Sequence, residues 1–170
     1  IYGVQIWVDF KNVTWTGGTL LKNATGIRGD NCNYNRRNVK FQNMRIDSST
    51  NYGVFMPVCL GGLADSVAFL SDTIRYSGTD GIYIHNGDNP TLYTIKNCLI
   101  TGNGRTTTNG DGIQITAPDN VVLSENSIYD NAGLGINHTG NGNCLLEGVR
   151  APIINSVTPL GGNQFQVNFT

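Results

Sequence analysis

The sequence of 170 residues predicts an all-β fold, wound as a right-handed parallel solenoid of about five to six coils, with a C-terminal strand leading toward a β-sandwich. Three observations predict it. Helix formers are scarce and turn formers abundant: 22 Gly and 22 Asn stand against 2 Glu and 6 Ala. The spacing apolar-x-apolar-x-small/polar-x-x-aliphatic occurs five times, and a glycine followed by an aliphatic residue comes after each occurrence. No segment shows the three-four apolar spacing of a helix.

The elements follow in order. Gly3-Val4-Gln5-Ile6 reads as the second half of an earlier block. Val13, Trp15, Gly17 and Leu20 form the next, followed by Gly26-Ile27. Then come Val39, Phe41, Asn43 and Ile46 with Gly53-Val54, and Val67, Phe69, Ser71 and Ile74 with Gly81-Ile82. Tyr93, Ile95, Asn97 and Ile100 precede Gly112-Ile113; Val121, Leu123, Glu125 and Ile128 precede Gly135-Ile136. The block starts lie 26, 28, 26 and 28 residues apart.

A block of this length holds short strands separated by turns, and one strand alone leaves its apolar side uncovered. Stacking each block on the next, about 4.8 Å apart, covers it. Three parallel sheets then enclose a narrow core. Its columns are Val4, Ile27, Val54, Ile82, Ile113, Ile136; Val13, Val39, Val67, Tyr93, Val121; Trp15, Phe41, Phe69, Ile95, Leu123; and Leu20, Ile46, Ile74, Ile100, Ile128. Each buried aliphatic contributes roughly 1.5–3 kcal/mol.

The net charge of -1, with 14% charged residues, argues against a nucleic-acid partner, which calls for a basic stripe. No apolar run is long enough to insert into a bilayer. The chain starts at Ile1 without a basic-then-apolar leader, as a mature product or an excised domain does.

The repeat resembles the right-handed parallel β-helix family, shared by pectate lyases, polygalacturonases, phage tailspikes and many bacterial surface proteins. The resemblance covers about residues 3–140. The segment "NSIYDNAGLGINHTGNG" is similar to the last coil of secreted repeat proteins of this type, and "APIINSVTPLGGNQFQVNFT" resembles an exit into a β-sandwich. The division expected is a β-helix over 1–150 and an exit segment with a single strand over 151–170. Solenoids need capped ends, so either the chain is a fragment or self-association covers its uncapped ends.

Cys32 and Cys59 each lie six residues after a glycine of the repeat, Gly26 and Gly53. That offset stacks them within disulfide range; the alternative is two free thiols at a turn. A bridge would imply export. Cys98 shares its position with Met44, Asp72 and Asn126, and pairing with Cys144 or a buried free thiol are both open. Asp47 and Arg75 stack as a surface ion pair, worth under about 1 kcal/mol.

Two outward columns carry the candidate chemistry. One reads Gln5, Arg28, Phe55, Tyr83, Gln114, Asn137; the other reads Trp7, Asp30, Pro57, His85, Thr116, Thr139. Aromatic rings beside polar side chains suit a sugar, which offers an apolar face and a rim of hydroxyls. The substrate-binding set is therefore Arg28, Phe55, Tyr83 and Gln114, and the catalytic candidates are Tyr83, His85, Asp30 and Arg28. The insertion "GNGRTTTNGD" is expected to wall this groove, and the bland alternative is aromatics packed under loops.

Asp80 and Asp111 each precede a repeat glycine on neighbouring coils, and Asp88 and Asp119 each follow one by seven residues. Stacked carboxylates suit calcium, the one cofactor the sequence suggests; Asp at a turn that binds its own backbone is the other reading. The paired Asp-Asp and Gly-His-Gly motifs of the hydrolases are not found, nor is the Arg-rich strand of the pectate lyases.

The expectation is an extracellular or cell-surface domain, structural or adhesive, contacting a polysaccharide or cell-surface glycan. The alternatives are a polysaccharide lyase, hydrolase or epimerase using the Phe55/Tyr83/His85 face, and a viral or phage fibre segment.

Overall fold

A computed structural model describes residues 1–6, 10–29, 36–57, 66–85, 92–116, 121–139, 154–162 and 164–169. The strands fall into coils of three. The first holds β1 (Tyr2–Ile6), β2 (Phe10–Thr16) and β3 (Thr19–Leu21); the second β4 (Thr25–Gly29), β5 (Arg36–Gln42) and β6 (Arg45–Asp47). The third holds β7 (Val54–Met56), β8 (Ser66–Leu70) and β9 (Thr73–Arg75); the fourth β10 (Ile82–His85), β11 (Leu92–Lys96) and β12 (Leu99–Thr101). The fifth holds β13 (Ile113–Thr116), β14 (Val121–Ser124) and β15 (Ser127–Tyr129), and β16 (Ile136–Thr139) follows. A hairpin of β17 (Ile154–Gly161) and β18 (Gln164–Phe169) ends the chain. Among the described residues no helix is long and apolar enough to cross a membrane.

Three parallel sheets run along the solenoid: β1-β4-β7-β10-β13-β16, β2-β5-β8-β11-β14 and β3-β6-β9-β12-β15. Four strands of the first sheet (β4, β7, β10 and β13) have a neighbour on each side, so about four turns are enclosed, slightly fewer than the five to six coils expected. The end coils supply strands, but of their inward residues Val4, Trp15, Leu20, Leu123 and Ile128 remain only partly buried, and Ile136, expected in the core, is exposed at the end of its column.

All four expected core columns are in direct register; Val54, Ile82 and Ile113 pair in turn. Phe41 stacks between Trp15 and Phe69 with ring centroids 4.9 and 5.4 Å apart. A second inward column of the first sheet adds Ile6, Met56, Ile84 and Ile115, all buried. His138 follows Ile115 in register, so it takes an inward position near the end of the stack.

The turns explain the rest of the repeat. Gly17, Asn43, Ser71, Asn97 and Glu125 all have positive φ, at the corner between the second and third sheets. Lys22, Ser48, Tyr76, Gly102 and Asp130 do the same where the chain leaves the third sheet. The repeat glycines Gly26, Gly53, Gly81 and Gly112 answer a close approach: a Cβ on Gly53 would lie 2.5 Å from the carbonyl oxygen of Gly81 and 2.5 Å from an Ile74 methyl. Buried amides tie the coils together. Asn103 Oδ1 accepts from the Ser77 N–H at 3.0 Å, and Asn131 Oδ1 accepts from the Asn103 N–H at 3.0 Å.

Two expectations change. The C-terminal segment forms two antiparallel strands, not one, with Val157 opposite Val167 and Pro159 opposite Phe165. These four share a face of the hairpin, because residues two apart along a strand point the same way. The Asp47–Arg75 pair is not a surface pair. Asp47 is 4% exposed, and its Oδ2 accepts from Arg75 at 2.9 Å and from Arg45 at 2.6 Å. Burial pushes this carboxyl up, but hydrogen bonds from Ser48, Arg45 and Arg75 outweigh it and hold it at about 2.

Candidate functional site

The first sheet presents its outward residues as a single face. Register places Gln5 beside Arg28, Arg28 beside Phe55, Phe55 beside Tyr83, Tyr83 beside Gln114 and Gln114 beside Asn137. Strand alternation does this: Ile82 and Ile84 point inward and are fully buried, so Tyr83 and His85 face out and are half-buried.

On this face the aromatics touch one another. Phe55 and Tyr83 have ring centroids 5.4 Å apart, and Tyr83 stacks on His85 at 6.0 Å with planes 3° apart. Tyr52 joins them at 4.9 Å from Phe55 and 5.5 Å from Tyr83. At the other end the Arg28 guanidinium lies 5.0 Å from the Tyr2 ring centroid and 5.1 Å from that of Phe55. Such contacts hold each ring in place and leave one side of the array to solvent. The hydroxyl of Thr116 lies 3.5 Å from that of Tyr83.

Sequence reasoning missed Tyr52. It occupies the position before the repeat glycine, which also holds Asp80 and Asp111. That shared position was the available signal, but a ring leaning over the face depends on side-chain direction at a turn. Burial pushes the Tyr52 phenol up, as do the Asp80 carboxylate and Tyr83.

Asp80 and Asp111 are neighbours, and their oxygens serve the main chain and an amide. Asp80 Oδ1 accepts from the Asp111 N–H at 2.7 Å. Asp111 Oδ1 accepts from the Leu134 N–H and Oδ2 from the Asn137 amide, both at 2.7 Å. The backbone bonds run to the following coil, not to the residue's own turn. Burial pushes Asp80 to about 6, against its hydrogen bond from the Asp111 backbone. Among the described residues no group of three or more His, Cys, Asp or Glu side chains is placed to hold a metal ion. Asp30, Asp88, Asp119 and the proposed Cys32–Cys59 bridge lie outside the described residues. Cys98 is buried and free, its thiol donating to the Lys96 and Phe69 carbonyls at 3.4 and 3.5 Å.

Most of the insertion at 102–111 lies away from the face it was expected to wall. It folds over the turn of the preceding coil: the Gly104 and Arg105 N–H groups donate to the Ser77 carbonyl, and the Thr106 N–H donates to that of Gly78. Backbone groups freed by the extra residues find their partners there, which fixes the loop at the corner between the third and first sheets. Its far side borders a depression of about 370 Å³ lined by Asn109, Asp111, Leu134 and Asn137, at the margin of the aromatic face.

The family model described as "right handed beta helix region" matches residues 58–152, which is 95 of the 170 residues and more than half of the chain. No curated protein and no solved structure matches the chain.

Proposed function

The chain belongs to the right-handed beta-helix family, and from that premise we propose that it is an exported, structural or adhesive domain of a microbial surface protein that contacts a glycan. One observation carries this reading: the half-exposed array of Tyr52, Phe55, Tyr83 and His85, closed at one end by Arg28. Rings held by their neighbours form a ridged apolar surface that loses little freedom on binding, which favours an extended sugar chain. The amide of Gln114 flanks it in register and supplies hydrogen-bonding groups for sugar hydroxyls. Export is supported by the matching offset of Cys32 and Cys59 from glycines on adjacent coils.

The stacked pair of Tyr83 and His85 favours a second reading, a polysaccharide-active enzyme in which they exchange a proton with substrate. Against it, the described carboxylates nearest the face, Asp80 and Asp111, are buried and bonded to the backbone.

The test is titration of the protein with a panel of neutral and acidic oligosaccharides, followed by NMR. Saturable shifts at the face are expected, with at least tenfold weaker binding in Tyr83→Ala and Phe55→Ala at unchanged far-ultraviolet circular dichroism. A flat response across the panel removes the glycan reading. Unsaturated products or new reducing ends from a polymer would replace it with the enzyme.

A further inference from the structure

Tyr76 stands out among the corner residues. Lys22, Ser48, Gly102 and Asp130 take the equivalent left-handed position in the other coils, and only here is a bulky aromatic held there, at φ 58°. A non-glycine residue in this region costs about 1–2 kcal/mol, and the repeat sets this backbone in every coil, so what distinguishes Tyr76 is its ring. The ring is 42% exposed and lies over the next coil's Gly102, where an added Cβ would come within 2.6 Å of two ring carbons. The Arg75 guanidinium sits 5.0 Å from its centroid while also bonding Asp47.

The insertion completes the surroundings. Beside Tyr76 is a depression of about 240 Å³, lined also by Ser49, Thr50, Arg105 and Thr106. Thr106 is fixed by its hydroxyl, which donates to the Gly78 carbonyl at 2.8 Å. Arg105 is exposed, and among the described residues its guanidinium makes no ion pair.

We propose that this depression binds a sugar unit bearing a carboxylate. The apolar face of the ring packs on Tyr76, the carboxylate takes two parallel hydrogen bonds from Arg105, and Thr50 offers a hydroxyl to the sugar's own. The site lies at the corner between the third and first sheets and does not rest on the aromatic face of the first sheet. It answers what the corner tyrosine and the extra residues of the insertion contribute together: a platform and a cation, from adjacent coils, lining one hollow.

The test uses calorimetry or NMR with glucuronate oligosaccharides, matched neutral glucose oligosaccharides and acetate as separate arms. The glucuronate arm should saturate, with the neutral arm at least tenfold weaker and acetate not competing at equal concentration. Tyr76→Gly removes the platform while suiting the left-handed backbone, so it should keep or raise the melting temperature yet lose at least tenfold in affinity. Arg105→Gln should lose a similar factor, and Tyr83→Ala should leave this binding unchanged. Absence of saturation in the parent, parent-like binding by Tyr76→Gly, or equal competition by acetate would each overturn the proposal.

Discussion

Asp72 occupies the position that Asn126 fills two coils later, and the comparison defines its state. Asn126 accepts from the Cys98 N–H through Oδ1 at 2.9 Å and donates through Nδ2 to the Ile95 carbonyl at 2.8 Å. Asp72 accepts from the Met44 N–H through Oδ1 at 2.8 Å, but its buried Oδ2 has no partner among the described residues. Burial pushes its pKa to about 6, against the hydrogen bonds from the backbone. A carboxyl raised on folding binds its proton more tightly in the native state, so stability falls as pH rises from about 4 to about 6 and stays lower above that. Asp72→Asn should restore the missing donor, remove its share of that decline while leaving that of Asp80, and stabilise the protein at pH 7 by roughly 2–3 kcal/mol. Denaturant midpoints measured from pH 4 to 8 check this, and a variant that still declines as the parent does would acquit Asp72. Asp47 acts in the opposite sense: its carboxyl is held at about 2, so its stabilisation is present above about pH 4 and is lost as pH falls toward 2.

At the scale of the strand, most core positions of the middle coils have an apolar neighbour above and below. Ile82 and Ile100 are fully buried in the middle of their columns, so Ile82→Asp or Ile100→Asp buries an unpaired charge between two aliphatic layers. Either should abolish the cooperative thermal transition, followed by circular dichroism. Gly81→Ala should also destabilise, because its Cβ would meet the Gly112 carbonyl oxygen at 2.6 Å. These columns were legible from the letters alone because the same residue type returns at the same offset, as Val39 and Val67 do. What broke the period was harder to read. The insertion after Asn103 has no counterpart in other coils to give it a register, so its fold over Ser77 and Gly78 was set by backbone groups in search of partners. The strand at Ile154–Gly161 was hidden by Pro159, which sits where β17 pairs irregularly with β18. In the candidate site the pairing of Phe55 with Tyr83 followed from register, whereas Tyr52 and Tyr76 lie on corners, where side-chain direction is not periodic.

For the molecule as a whole, each coil leans only on the coils beside it, so stability accrues layer by layer. The cysteines, the aromatic face and the Tyr76 hollow are all features of particular layers set into a common frame. That frame is indifferent to how many layers it has, and this bears on how such a chain tolerates change in its length. Because Val54 and Ile82 occupy the same place in successive turns, excising residues 54–81 joins Gly53 to Ile82 and leaves Ile27 beneath Ile82 with every remaining column intact. The shortened protein should still fold, with a smaller unfolding enthalpy by calorimetry. Loss of Thr94 alone should be far worse, since it would turn Ile95 outward and swap the two sides of the strand. A chain built in this way can be edited by the storey, and hardly at all by the brick.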